Sequence, residues 1–222
     1  MTNSLTNTAR LLGAGLRALL VLTLVTGVLY PLMITGIAQG LFNGKANGSG
    51  ITTDGKVVGS SLIGQPYNLP LEEDEQTPAP DLKWFQGRPQ NGLGTNSVNT
   101  QYKLILSGAT NRSGDDEELV QWVKDAKAAV VKVNSTAGHP VEPSEVPADA
   151  VTSSGSGLDP DISPQYADLQ VHRIAERNGL PVAEVRSLVD EHTEGRTLGF
   201  MGEPRVNVLE LNIALKELLA RS

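Results

Sequence analysis

The chain has 222 residues, with 25 acidic and 18 basic side chains, a formal net charge of −7, 39% apolar residues and only 4% aromatics. This composition is neither that of a disordered chain nor that of a multi-span membrane protein, and an acidic chain lacks the clustered Lys and Arg that nucleic-acid binding needs. The absence of cysteine excludes a disulfide framework, thiolate metal sites and a Cys nucleophile.

The charge is unevenly placed. Residues 1–17 carry only Arg10 and Arg17, the 27 residues Ala18–Gly44 carry none, and a net −9 therefore sits on everything beyond. A basic head, an uncharged apolar rod and an acidic body is the pattern of a chain threaded once through a membrane. As a helix, Ala18–Phe42 spans about 37 Å, enough to cross a hydrocarbon core of about 30 Å with some tilt. The h-region of a cleaved signal peptide is shorter, about 7–15 residues, and Gly36-Ile37-Ala38 makes only a weak cleavage site. The positive-inside rule keeps Arg10 and Arg17 in the cytoplasm. The expected organisation is a cytoplasmic N-terminus over 1–17, a transmembrane helix over 18–42, and an extracytoplasmic soluble domain over 43–222.

Inside the rod, Pro31 removes a backbone hydrogen bond and predicts a kink. Gly36 and Gly40, and likewise Thr23 and Gly27, are small residues four apart, a spacing that lets another transmembrane helix approach. Glycine and proline are also simply commoner in membrane helices. The rod has no ionisable side chain, which argues against an ion path through this helix alone.

In the body, Asp54-Gly55 between β-prone Ile51–Thr53 and Lys56–Val58 signals a hairpin. Flexible loops are expected near 71–82, 107–116 and 135–150 from their Pro, Gly and charged residues. Trp84-Phe85-Gln86-Gly87-Arg88-Pro89 reads as an aromatic pair followed by a turn. Leu119, Trp122, Val123, Ala126, Ala129, Val130 and Val133 recur at helical spacing, behind a Ser-x-x-Asp cap at Ser113–Asp116. Ser163-Pro164 opens a second helix with a stripe of Ala167, Val171, Ile174 and Ala175, closed by Asn178-Gly179. Pro181 opens a third, with Gly195 beyond its end. Leu198–Met201 is β-prone, and Asn207 with Glu210 caps the last helix. The fold class is α+β: one N-terminal transmembrane helix, then a single soluble domain with three or four helices and a few short strands.

Chemistry has few footholds. The histidines are His139, His172 and His192, with no metal-ligand spacing between them, so no metal site is expected. Ser156, His172 and Asp159 supply the residue types of a hydrolytic triad, but no nucleophile elbow accompanies them. There is no phosphate-binding glycine fingerprint, and Ser153–Gly157 reads as a turn-forming loop. Asp-Lys-Thr-Gly, the phosphorylated-aspartate signature of P-type ATPases, is also missing. No catalytic residue is assigned. A membrane-anchored hydrolase and a stand-alone binding module stay open on residue content.

Several segments together resemble one family. Leu29-Tyr30-Pro31-Leu32 and Thr35-Gly36-Ile37-Ala38-Gln39 are similar to the membrane helix of the C subunit of the Kdp potassium-transporting ATPase. So are Gly55–Ser60 with Leu62–Gln65, Phe85–Pro89, Thr152–Pro160 with Ile162–Pro164, and Gly199–Asn212, all in family order. Ser107–Gly114 departs from the family pattern, and Leu71–Leu82 and Ala128–Ala150 look longer than is typical. The resemblance implies an accessory subunit of an ATP-driven potassium uptake complex in the bacterial plasma membrane. Its partners there are a channel-like A subunit, a P-type ATP-hydrolysing B subunit and membrane lipid. K⁺ is the transported ion; no cofactor is held firmly, and ATP is reached through the partner. The family view includes assembly and a catalytic-chaperone role that raises ATP affinity, which would fall here on Gln170 as a nucleotide contact. The competing structural reading is an outer-side cap on the ion-conducting subunit, with Gln170 an ordinary helix-surface residue.

Overall fold

In lipid every backbone N–H and C=O must be paired within the segment, and a helix achieves this. The computed structural model describes residues 2–70, 78–90, 94–95 and 105–221. It divides into two units, Met1–Gly50 and Ile51–Ser222.

The first unit is helical: α1 (Thr2–Leu24), a π-helical turn (Val25–Leu29), α2 (Tyr30–Leu41) and the short α3 (Asn43–Ala46). Among the described residues one helix, Thr6–Leu41, is long and apolar enough to cross a membrane, and its large apolar side chains are exposed throughout. The disturbance expected from Pro31 takes the form of the π turn just before it. A proline ring has no N–H and crowds the carbonyl four residues back; the wider turn, closed by Tyr30 N–H on Val25 O, relieves that crowding. At the end of the apolar stretch, Gln39 links its carboxamide to those of Asn43 and Asn47.

The second unit carries β1 (Gly50–Thr53, continuing out of the first), β2 (Lys56–Ser60), β3 (Gly94–Thr95), β4 (Ile105–Leu106), α4 (Glu117–Asn134), a 3-10 turn (Ala148–Ala150), β5 (Asp161–Ile162), α5 (Pro164–Asn178), α6 (Val182–Glu191), β6 (Thr193–Glu194), β7 (Arg205–Asn207) and α7 (Val208–Leu219). β1 and β2 form the expected hairpin, with Asp54 and Gly55 both at positive φ, as a two-residue primed turn requires. β5, β7 and β6 make a three-stranded antiparallel sheet, with Ile162 opposite Val206 and Thr193 opposite Val206 on its other side.

α5 is the hub. Ser163 Oγ accepts from Tyr166 N at 3.1 Å, Pro164 occupies the first turn, and Gly179 closes the helix in the left-handed conformation. Asp149 grips the cap through both Ser163 N and Ser163 Oγ. Ala167, Val171, Ile174, Val185, Val206, Leu211 and Leu215 are buried around it, together with Phe85.

Three local expectations need correcting. The cap of α4 is Asp116, accepting from Leu119 N, while Ser113 instead donates to Asp115. Arg112 braces that helix start through Asp116 and Glu118 and stacks over Trp122. Leu198–Met201 is a turn closed by a bridge between Thr197 and Met201 rather than a strand; the strands lie on either side of it. The 135–150 stretch, expected as a flexible loop, is packed down: Val141, Val146 and Ala150 are buried, and Ser135 Oγ accepts from Val141 N. Apolar side chains outweigh the polar composition there. Within the loop expected at 71–82, residues 71–77 lie outside the described residues.

Candidate functional site

The segment Leu82–Pro89 crosses the unit with no strand paired to it among the described residues, so its peptide groups find other partners. Trp84 N donates to Asp81 O; others find side chains. Asn212 of α7 accepts from Phe85 N and donates to Phe85 O, each at 2.9 Å. Gln170 of α5 accepts from Gln86 N at 2.7 Å and donates to Gln86 O at 3.0 Å. Gln86 in turn donates from its carboxamide to the carbonyls of Tyr67, Asp81 and Trp84.

Arg173, one turn along α5, extends the grip. It donates to Asn134 Oδ1 at 2.9 Å, to Gln170 Oε1 at 2.6 Å, to Trp84 O at 3.1 Å and to Leu82 O. Arg173 is 2% exposed and Gln170 0%. Burial lowers the pKa of Arg173 to about 10, because the charged form loses water; Arg177 lowers it further, while Tyr166 and Asp81 pull the other way. Burial likewise pushes neighbouring Tyr166 up to about 12.

The end of the same segment opens on a cavity of about 250 Å³, lined among others by Gln65, Gln86, Arg88, Asp159, Tyr166 and Leu209. Arg88 donates to Asp159 at 2.9 Å in its lining. Gly64 makes the close approach that seals one wall: its N–H donates to Leu158 O at 2.8 Å, and a Cβ there would stand 2.4 Å from Asp159 O.

Four segments widely separated in the sequence therefore converge on one place: Gly64–Gln65, Phe85–Pro89, Leu158–Pro160 and Asn207–Asn212. A family profile described as "K+-transporting ATPase, c chain" matches residues 12–217. The potassium-transporting ATPase KdpC subunit of Streptomyces avermitilis is 80% identical over 222 residues, covering 100% of both chains. That of Streptomyces coelicolor is 77% identical over 99% of this chain and 98% of its own. That of Gemmatimonas aurantiaca is 45% identical over 93% and 94%.

The chain belongs to the KdpC family.

Against that family, the sequence-derived candidates fall as follows. Gln170 is not a helix-surface residue; it is enclosed, with both ends of its carboxamide bonded. A ligand reaching its carboxamide would first have to displace Gln86 and Arg173. Thr23, Gly36 and Gly40 stand exposed on the long apolar helix, and nothing lies within 4 Å of a Cβ built at Gly36 or Gly40. Gly27 lies inside the π turn, where a Cβ built on it would stand 3.9 Å from Thr23 Cγ2, and Pro31 follows that turn.

Ser156, His172 and Asp159 have other engagements. Ser156 Oγ accepts from Leu158 N, Asp159 pairs with Arg88, and the His172 ring stacks on His139 at 3.8 Å. His192 bonds Leu188 O. Among the described residues no cluster of three or more His, Cys, Asp or Glu could hold a metal ion. Sequence reasoning missed Arg173, Asn134 and Asn212. The available signal was a polar pair, Gln170 and Arg173, three apart and flanked by the apolar stripe of α5, where an inward-facing position needs buried partners.

Proposed function

We propose that this chain is the accessory subunit of a potassium-transporting P-type ATPase complex, working beside a channel-like A subunit and an ATP-hydrolysing B subunit. Its body serves assembly and stability on the outer side of the ion-conducting subunit. The observation that carries the structural reading over the nucleotide-contact reading is the burial of Gln170. Both ends of its carboxamide are used up inside the core. An influence on ATP affinity would then pass through subunit contacts rather than through Gln170 itself.

In this reading the single span lies in the bacterial plasma membrane among lipid, with Arg10 and Arg17 inside and the body outside. K⁺ is the transported ion and ATP the substrate of the partner; this chain holds neither as a resident cofactor. The acidic body favours cations near its surface, over a range that screening limits to about 8 Å at physiological salt.

Two measurements test the proposal. In the cysteine-free chain, Ser113→Cys is expected to react with an impermeant thiol reagent on intact cells. Protection until lysis would reverse the orientation and bring the body to the ATP side. Deleting the chain is expected to abolish K⁺ uptake at low external K⁺ and to prevent recovery of the two larger subunits together. A stable solitary chain whose deletion leaves uptake unchanged would overturn the accessory role.

A further inference from the structure

Three apolar side chains that the second unit leaves in solvent fall within four consecutive residues. Leu198 is 78% exposed, Phe200 70% and Met201 46%. They crown the turn between β6 and β7. The turn is closed by Thr197 N to Met201 O at 2.9 Å, Met201 N to Thr197 O at 3.0 Å and Gly199 N to Arg196 O at 2.9 Å. These bonds hold the apolar side chains out instead of letting them fold onto the core.

The backbone is as specific as the side chains. Leu198 has φ 55, a left-handed conformation that a residue with a Cβ adopts at a cost. Such outliers persist where the surroundings enforce them and point to function. Gly199 and Gly202 also have positive φ, and a Cβ at either would meet nothing within 4 Å. Gly199 beside Phe200, and Gly202 two residues on, therefore present bare backbone that a partner can approach closely.

Charge decides the kind of partner. The charged groups at the base of the turn are tied to one another: Arg196 to Glu203 at 2.7 Å, and Arg205 to Glu194 at 2.6 Å and to Asp161 at 3.1 Å. The tip itself is uncharged, and its rim is balanced to slightly acidic. An anionic lipid surface rewards unpaired Lys and Arg around an apolar wedge, and this turn offers none. An uncharged apolar pocket in a protein is the complementary surface, because burying the tip desolvates no unpaired charge.

We propose that the Thr197–Gly202 turn is a docking knob that inserts Leu198 and Phe200 into an apolar pocket on the extramembrane face of another subunit of the same ATPase complex. The proposal rests on the accessory-subunit reading above.

The test uses the full chain in its complex in native membranes. With p-benzoylphenylalanine in place of Phe200, illumination is expected to give an adduct that mass spectrometry identifies as one of the larger subunits. The double variant Leu198→Ser, Phe200→Ser is expected to lower recovery of those subunits at least tenfold, with an unchanged thermal unfolding midpoint of the purified chain. Val57→Ser, at another exposed apolar position, is expected to retain them. Adducts with lipid alone, no adduct, or undiminished recovery by the double variant would overturn the knob and leave the accessory role standing. If the unaltered chain recovers no larger subunit, the accessory reading fails and the knob falls with it.

Discussion

Gln170 on α5 and Asn212 on α7 hold adjacent peptide groups of one irregular segment, Gln86 and Phe85, each carboxamide accepting from the N–H and donating to the C=O of its residue. Each side chain does what a neighbouring strand would do. The segment can therefore run through the core with the peptide groups of Phe85 and Gln86 paired by side chains. Arg173 locks the arrangement by bonding Gln170 and two carbonyls upstream.

Gln170→Ala leaves a peptide N–H, a peptide C=O and an Arg173 N–H without their partner in a part-buried site. At about 1–3 kcal/mol for each unsatisfied buried group, partly relaxed, the expected loss is about 2–4 kcal/mol. Chemical denaturation of the full chain in detergent measures it. Gln170→Glu is expected to lose less, since a carboxylate still accepts from Gln86 N and gains charge-assisted bonding from Arg173. In complexes that do assemble, the KM for ATP is expected to match that of the unaltered protein. A raised KM in fully assembled Gln170→Ala complexes would restore the nucleotide-contact reading.

Gln170 and Asn212 share one target segment, so their losses should not add. A double-mutant cycle with Asn212→Ala is expected to show coupling of about 0.5–3 kcal/mol. Once either clamp is gone the segment loosens and the second clamp has less to hold. Strict additivity in the same denaturation experiment would mean that the two act on independent peptides.

The caps and the hairpin turn were legible in the sequence because their physics is local. Ser163 with Pro164, Asn207 with Glu210, Gly179, and Asp54-Gly55 each involve residues a few positions apart. The partners of the clamp were not legible. Gln170 and Arg173 look like solvent-facing helix residues until the Leu82–Gln86 carbonyls and amides, more than 80 positions upstream, arrive to bond them. The same holds for the 135–150 stretch: Pro, Ser and Glu read as an excursion, yet its few apolar residues find the core. The two- and three-residue strands β6 and β7 exist only through pairing with each other and with β5, and no run that short carries a periodic signal.

Gly64→Ala should be costly and Gly87→Ala nearly neutral. The added methyl at Gly64 would lie 2.4 Å from a backbone oxygen of Asp159, which cannot move without disturbing the Arg88–Asp159 pair, whereas at Gly87 it meets nothing within 4 Å. Overpacking of this kind costs about 1–3 kcal/mol. Thermal unfolding of the two variants side by side checks the difference.

The His139–His172 stack gives a pH dependence with a definite sign. The pKa of His172 is lowered from 6.5 first by burial and then by the neighbouring His139 and Arg186, against an opposing pull from Asp168. A base with a depressed folded pKa binds fewer protons folded than unfolded. Its contribution is therefore full above the ordinary histidine range and is lost as pH falls through it. An NMR titration is expected to place the His172 midpoint below that of an unperturbed histidine. His139→Gln is expected to move it upward without removing the whole shift, because the burial contribution and Arg186 persist. A midpoint unmoved by His139→Gln would show that the stacked ring does not act on His172.

The span tests partner packing independently of the body. Gly36→Leu and Gly40→Leu add bulk where the chain itself has nothing within 4 Å, and leucine favours the helix over glycine by nearly 1 kcal/mol. The isolated chain should remain as helical and as stable. If this face lies against another transmembrane helix, bulk there prevents close approach, and recovery of the larger subunits is expected to fall. Gly15→Leu, equally open but outside the uncharged rod, is expected to leave recovery unchanged. Pro31→Leu acts by a different route: it restores an N–H at position 31 that can bond Gly27 O, so the π turn can close to a regular α turn. That closure rotates Gly36 and Gly40 relative to Thr23, and the variant is expected to lose recovery without any added bulk on the packing face. Unchanged recovery for all three span variants would assign these glycines and the proline to the ordinary composition of a lipid-facing helix.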